Sequence, residues 1–432
     1  MNAASTDASR ESTSPDAGVT GAANGHEAVQ AAVHVVDSLE GIAAADWNTL
    51  NTEDNPFLDH RFLRALEASD SLGAATGWYP RYLLLKRSGG TPELIAALPC
   101  YLKTNSYGEF VFDWAWAEAF EHAGLDYYPK LVAAIPFTPA SGQRFLVHPA
   151  EQRATLVPLM ARALRQLTNS MQLSSAHCLF LTLEELAAIA MPLELQENRV
   201  TLADTGFMPR YDCQYHWHNK GYTHFDDFLA GCTAKRRKTI RRERRHVSDA
   251  GLRLERRSGT SLSADEWAEV HEFYCATFDR KWGRPSLTRD FFEQIGREFG
   301  DHTLIVFAHD PADAEPARPV ACAVMFHGGD TLYGRYWGCR REHHSLHFEA
   351  CYYQGIEFCI EQGIARFEPG AQGEHKITRG FEPTLTASAH YIAHPEFRAA
   401  IADFLLRETP RVEARCAALK DLLPFRTDTM AD

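Results

Sequence analysis

The chain has 432 residues, a formal net charge of −13 and a sequence pI near 5.9. That length exceeds what one ordinary core organises, so two domains are expected, and the acidic balance excludes a general binder of DNA or anionic membranes. With 45% apolar and 23% charged residues the composition is that of a folded protein, not a disordered one. Ten cysteines contain no C-x-x-C spacing, and several lie among apolar neighbours, which reads as free thiols in a reducing cytoplasm. No apolar run is long enough to span a bilayer, and the N-terminus lacks a basic-then-apolar signal. A cytoplasmic protein without a membrane span is expected.

Residues 1–31 are Ala, Ser, Thr, Asp and Gly with little to bury, a disordered tail. The first domain is expected over 32–205. It opens with a strand at Ala32–Val36 and a helix over Leu58–Ala68, with Phe62, Leu63 and Leu66 turned inward. Arg81–Arg87 and Leu94–Lys103 predict an antiparallel hairpin across the turn Ser88-Gly-Gly-Thr-Pro92. Aromatics then crowd Ser106–Ser141. The alternation of Phe110, Phe112, Trp114 and Trp116 predicts a strand with its rings on one face, packed against a neighbouring layer or lining a substrate wall. A helix running towards Met171 and bent at Pro158, a strand at Ala176–Leu183 and a polar stretch over Glu194–Asp204 complete this half.

The second domain is expected over 206–426, with a tail at 427–432. Tyr211–His218 alternates as a strand that sets His216 and His218 on one side, but no further ligands stand at a metal-binding spacing. Lys235–Arg245, KRRKTIRRERR, carries eight basic residues in eleven, with Thr233 placed to cap a helix. Such a helix repels itself unless neutralised. It is either a solvated basic face or a phosphate site built from Lys235, Arg236, Arg237, Lys238 and Arg241. Without interleaved aromatics it offers no platform for stacking bases. Ser263-Ala-Asp-Glu266 is a capping box for a helix with Trp267, Val270, Phe273, Tyr274 and Phe278 inward, ending at Lys281-Trp-Gly283. After a helix at Arg289–Phe299, strands are expected at Thr303–His309, Val320–Phe326 and Thr331–Trp337, the last two joined at His327–Asp330. Arg335 sits mid-strand among aromatics, beside Trp337. A buried arginine must be paired or serve a ligand, which makes it a site candidate.

Leu346–Pro383 is the most informative stretch. Phe348, Cys351, Tyr352, Gly355, Ile356, Cys359 and Ile360 recur at helical spacing, while Glu349, Tyr353, Glu357 and Glu361 form a ridge expected to face outward. Gly363 stands where a left-handed cap ends the helix, and a short strand at Ile364–Phe367 follows. Pro369–Phe381 then brings Gly370, Gly373, Glu374, His375, Lys376 and Arg379 into a few residues, a composition that packing does not require. A strand at Thr384–His394 and a helix from Pro395 towards Leu406 finish the chain.

Helix, Gly, short strand, Gly and a Lys followed shortly by Gly-Phe resembles the second half of GNAT-fold acyltransferases of the Fem type, and in particular the FemAB-like group of predicted bacterial N-acyltransferases. The resemblance implies an α+β fold of tandem GNAT-like (acyl-CoA N-acyltransferase) domains, each a mixed, mostly antiparallel sheet flanked by helices. It implies an active site where two central strands splay apart, better preserved in the second domain, at which an acceptor amine attacks a donor carbonyl directly. Lys376 matches the family lysine, placed to polarise the carbonyl or hold a donor phosphate, and the basic helix matches one that opens the corresponding domain in related enzymes. His375 and Glu374 are the first choices for proton acceptor. Arg335, Trp337, Tyr352, Gly370, Gly373 and Arg379 are expected to contact substrate. The donor is acyl-CoA or an aminoacyl-tRNA, and the acceptor a small-molecule or peptide amine, with peptidoglycan a more distant implication. Two departures stand out. The R/Q-x-x-G-x-G/A signature of simple GNAT enzymes is absent, with Gly338–Ser345 in its place, and Ile377-Thr378 separates Lys376 from Arg379-Gly380-Phe381. A non-enzymatic alternative has the two domains recognising an anionic ligand, a cell-wall precursor or RNA.

Overall fold

The computed structural model describes residues 31–88, 93–190, 195–196, 199–200, 205–279, 284–313, 315 and 318–426. The expected N-terminal tail up to residue 30, residues 89–92 of the first turn, the expected helix end at Lys281–Gly283, most of the polar stretch Glu194–Asp204 and the tail 427–432 lie outside the described residues.

The first half comprises β1 (Ala31–Val36), α1 (His60–Ala68), β2 (Tyr82–Arg87), β3 (Glu93–Leu98), β4 (Cys100–Lys103), α2 (Trp114–His122), β5 (Lys130–Ala133), α3 (Arg153–Ser170) and β6 (Ser175–Leu181). The second comprises β7 (Met208–His218), α4 (Ala234–Asp249), β8 (Arg253–Ser258), α5 (Ala264–Asp279), α6 (Arg289–Glu298), β9 (Thr303–His309), β10 (Pro319–Gly328) and β11 (Thr331–Cys339). There follow α7 (346–362), β12 (Arg366–Glu368), β13 (Glu382–Ile392) and α8 (Pro395–Lys420). Eleven strands form one sheet in the order β8-β9-β10-β11-β12-β7-β13-β6-β5-β4 and the short strand Trp78–Pro80. A second sheet holds β1, β2, β3 and Leu146–Val147.

This is the α+β architecture implied by the resemblance, with one addition. The two halves do not carry separate sheets. β13 pairs antiparallel with β7 on one side and with β6 on the other, so the large sheet runs unbroken from one half into the other. Nearly every pairing is antiparallel. The parallel exceptions in the large sheet are β5 with β6 and β11 with β12, one in each half, and each holds register for three residue pairs.

Local sequence accounts for how α7 meets this sheet. It opens as Leu346–Phe348, passes through a π-helical stretch at Glu349–Tyr353, and continues as Gln354–Gln362. Gly363 then turns left-handed at φ +67°, which a residue without a Cβ adopts freely. Gly355 lets the helix settle onto β12, since a Cβ there would stand 2.5 Å from the buried Phe367 ring. Tyr352, Ile356, Cys359 and Phe367 share one apolar core.

Several expectations need correction. Phe110 and Phe112 are not in a strand. Phe110 has φ +60°, and Asp113 starts α2, so Trp114 is largely exposed while Trp116 turns inward. The ridge Glu349–Tyr353 faces inward, not outward. The π turn shifts the helical register, and Glu349 and Tyr353 are buried against α4. Thr233 precedes α4, but its side chain makes no capping hydrogen bond. The Ser263–Glu266 box is formed, with Glu266 accepting from the Ser263 amide at 2.7 Å. α8 continues well beyond Leu406 to Lys420, burying Cys416.

Adding a methyl at Gly355 forces α7 off β12. Gly355→Ala is expected to lower unfolding free energy by about 1–3 kcal/mol in a urea titration, the range for overpacking a dense core.

Candidate functional site

The parallel pair β11–β12 matches Thr331 with Arg366, Leu332 with Phe367 and Tyr333 with Glu368, and then ends. β11 continues to Cys339 paired only with β10, while the other chain leaves through Pro369-Gly370. Gly334 stands at the fork, where a Cβ would lie 3.2 Å from the Pro369 Cα. The strands part here because glycine lets the departing backbone cross closely and proline removes the next ladder donor.

The loop returns as a 3-10 turn, Glu374–Arg379, between Gly373 at φ +118° and Gly380 at φ +93°. Its lysine turns inward. Lys376 is 3% exposed, and its Nζ donates to the Gly370 carbonyl at 2.7 Å, beside the fork. Burial drops its pKa to about 7, so neutral and charged forms are both populated near neutrality. Arg379 is held from two sides. Its guanidinium meets Glu243 of α4 at 2.6 and 3.1 Å and lies 3.4 Å over the Phe348 ring, while Nη1 donates to the His375 carbonyl at 2.7 Å. The Tyr353 hydroxyl donates to the same Glu243. His375 Nε2 stands 2.9 Å from the Tyr352 hydroxyl, and desolvation lowers the imidazole pKa while burial raises that of the phenol.

The structure therefore brings His375, Lys376, Arg379, Tyr352, Gly370 and Gly373 together around one loop. Glu374 points away, more than half exposed and paired with Arg415 of α8 at 2.9 Å. Arg335 is half-buried, donates to the Phe137 carbonyl of the first half and lies near the Phe57 and Tyr336 rings, while Trp337 packs beside His347. The basic helix α4 meets the loop through Glu243, not through its cations. Its charge is partly neutralised within the chain: Arg244 pairs with Glu349 at 3.0 Å and Glu357 at 2.7 Å, and Arg241 with Asp226 at 3.2 Å. Arg237 donates to the Leu229 and Cys232 carbonyls, whereas Lys235 and Lys238 are exposed and Arg236 half-exposed.

Sequence reasoning missed Glu368 and the first-half loop that reaches it. Glu368, the last residue of β12, is 3% exposed and points to the face opposite Phe367. Its Oε2 accepts from the Ser141 amide at 3.1 Å and lies 3.9 Å from His216 Nε2, while Oε1 is 3.5 Å from Arg366 Nε and accepts no hydrogen bond within the protein. Burial raises its pKa to about 7, with Arg366 opposing the shift. The same loop is tied to the second half at Pro139, whose carbonyl accepts from Gln214 at 3.1 Å, and at Phe137. A cavity of about 630 Å³ opens on this seam, lined among others by Glu53, Ser141, His216, Asp330, Arg366 and Thr386. The signal for Glu368 was one residue away, because the expected strand stopped at Phe367.

In the first half a buried lysine stands just before the parallel pair β5–β6 begins, at the end opposite to the one that forks in the second half. Fully buried Lys130 on β5 meets Asp113 at 2.5 Å, Ser106 at 2.8 Å and Glu109 at 2.9 Å, and the two carboxylates hold its ammonium charged against burial. Among the described residues no group of three or more His, Cys, Asp or Glu is arranged to hold a metal ion, and no helix is long and apolar enough to cross a membrane.

A family model for FemAB-like proteins, described as peptidoglycan biosynthesis/recognition, matches residues 38–427. No curated protein matches the chain. Among solved structures, the chain resembles a tandem GNAT protein from the clavulanic acid biosynthesis pathway, with 13% identity over 84% of this chain and 99% of that one at a TM-score of 0.41. It also resembles FemX, with 11% identity over 78% and 93% at 0.45, and L-PGS from Bacillus licheniformis, with 10% identity over 79% and 95% at 0.43. At these values they are likenesses to which no function is attached.

Removing Arg379 leaves Glu243 buried without its cation. Arg379→Ala is expected to cost about 3–5 kcal/mol in chemical denaturation, more than the removal of an exposed ion pair.

Proposed function

The chain belongs to the FemAB-like family, and we propose that it is an N-acyltransferase whose reaction takes place at the fork between β11 and β12. The observation that carries this reading is the fork itself. The strands part after three residue pairs, with the buried Lys376 amine on one side and the buried Glu368 carboxylate on the other. A gap in a sheet, lined by glycine and free of ladder hydrogen bonds, lets an extended acyl donor pair with exposed backbone and lie end to end with an amine. Alignment of that kind converts a bimolecular attack into an intramolecular one.

Lys376 in its protonated form stabilises the oxyanion that develops on the donor carbonyl; burial strengthens that interaction. His375, fixed by Tyr352, and Arg379, fixed by Glu243, define the loop against which the acyl group rests. Glu374, on the outer rim with Arg415, is positioned to hold the loop rather than to touch the carbonyl. The donor is acyl-CoA or an aminoacyl-tRNA, whose phosphates the exposed Lys235 and Lys238, with Arg236, Arg237 and Arg241, attract along α4. The acceptor is an amine on a small molecule or peptide, including a peptidoglycan precursor, and the protein acts in the cytoplasm. The domain division falls near Gly206, and the first half serves as scaffold.

The test is acyl transfer by the purified protein from acetyl-CoA and from charged tRNA to a panel of amines. Lys376→Met is expected to lower kcat about 10²–10³-fold, the usual loss on removing an oxyanion donor, while donor binding persists. Unchanged turnover in that variant, or donor and amine binding without any transfer by the wild type, would overturn the reading. Donor affinity is also expected to fall steeply between about 50 and 200 mM salt if several phosphates are held, as followed by fluorescence titration.

A further inference from the structure

Glu368 has the attributes of an acid–base group and no structural task that uses them all. A carboxylate placed only to tie the two halves together would have both oxygens satisfied. Here Oε2 takes the Ser141 amide, while Oε1, buried, accepts no hydrogen bond and has Arg366 Nε beside it only at 3.5 Å. Its neighbourhood is similarly incomplete. Ser141 Oγ and Arg335 Nε are buried and make no hydrogen bond within the protein, and the same holds for Asn55 Nδ2 on the adjoining cavity. Buried polar atoms are paired in nearly all folded proteins, so the unpaired Ser141 and Asn55 atoms on one cavity, with Glu368 Oε1 unpaired beside Ser141, mark a place where a ligand supplies the partners.

The cavity on the seam meets this cluster. Ser141 and Asn55 line it together with His216, Arg366 and Tyr333, all but Asn55 neighbours of Glu368. Its charged lining is two carboxylates, Glu53 and Asp330, both exposed, against the single guanidinium of Arg366. A cation is favoured at such an opening, and a primary amine reaches neutral water as an ammonium ion. To attack a carbonyl it must lose a proton, and the cavity wall formed by Ser141, His216, Tyr333 and Arg366 is the one that Glu368 packs against.

Resting on the acyltransferase reading above, the geometry points to Glu368 as the proton acceptor for a primary amine that enters through the seam cavity. The ammonium ion gives one proton to Glu368 Oε1. The freed nitrogen lone pair forms the C–N bond with the donor carbonyl carbon, and the bond to the leaving sulfur or oxygen breaks with its electron pair. The second proton leaves nitrogen for that departing atom, and Glu368 returns its own to solvent through the cavity. The groups facing Glu368 are Arg366 on its own strand, Tyr333 and Arg335 from β11, His216 from β7, and Arg144 and the Ser141 amide from the first-half loop. Desolvation holds His216 well below its ordinary pKa, so it is neutral throughout the working range, which leaves Glu368 on this face and Lys376 on the other as the titrating groups. Below about pH 7 Glu368 holds a proton and cannot accept another; above it the carboxylate is free. Turnover therefore rises with pH as Glu368 loses its proton and falls as Lys376 loses the one that stabilises the oxyanion, a bell centred near pH 7.

Two measurements test this. With a donor and amine that support turnover, kcat/KM of the wild type is expected to be bell-shaped about pH 7, and Glu368→Gln to lose about 10²–10⁴-fold together with the acid limb, its melting temperature and donor affinity unchanged. Formate is expected to restore part of the rate in Glu368→Ala. A folded Glu368→Gln enzyme with the wild-type rate and pH profile would overturn the assignment. Calorimetry with n-butylamine does not depend on turnover. Saturable binding to the wild type, about tenfold or more weaker in Glu368→Gln and absent for n-butanol, supports the amine site even if no donor is ever used, in which case only the acyltransferase reading falls. Equal binding of amine and alcohol, or none by either, would overturn the amine site.

Discussion

At Tyr333 and Glu368 the parallel contact between β11 and β12 comes to an end, and what surrounds it depends on that ending. An antiparallel sheet continued through this point would consume every backbone donor and acceptor and leave no room for a ligand. Three parallel pairs are enough to hold β11 and β12 together, and the glycine at 334 with proline at 369 ensures that no fourth pair forms. The divergence opens both faces of the sheet at one place. One face belongs to α7 and the loop bearing Lys376, and the other to the first half of the chain.

Each face is held by a different kind of interaction. On the helical side an apolar contact, Gly355 on Phe367, sets the height of α7, and an ionic one sets the loop, because Glu243 takes both Arg379 and the Tyr353 hydroxyl. Buried pairs of this sort add little net stability but are costly to break, and they fix the orientation of their neighbours. On the opposite side backbone groups do the work. The Ser141 amide and the Pro139 and Phe137 carbonyls join the first half to residues beside the fork. The seam is thus a shared construction, and neither half presents it alone. The first half has a parallel pair of its own, with Lys130 and its carboxylates packed at the end where that pair begins.

Much of the fold was legible from periodicity. Strands at 303–309 and 331 onward, the helices from 60, 264 and 289, and the cap at Gly363 all follow from local pattern, and the resemblance supplied the tandem α+β plan. What failed did so for tertiary reasons. Phe110 to Trp116 alternate like a strand, yet Asp113 is drawn to buried Lys130 and begins a helix there. Glu349 and Tyr353 lie on a polar-looking ridge, and only the inserted π turn and the cations of α4 make burial favourable. The loop Pro369–Phe381 was legible as a site because its composition serves no core. Glu368 was not, because its burial is created by a loop more than two hundred residues earlier in the chain, a contact that no local pattern encodes.

The account stands on the claim that the acyl group is handed over at the fork, between Lys376 and Glu368. The most direct measurement is a structure with a bound donor mimic, tried both as a non-hydrolysable acyl-CoA and as an aminoacyl-adenosine amide. The account predicts the carbonyl carbon between Gly334 and Gly370, with its oxygen towards Lys376 and its open face towards the seam cavity. A carbonyl bound beside Lys130 in the first half, or on the outer surface of α4 away from the fork, would contradict it.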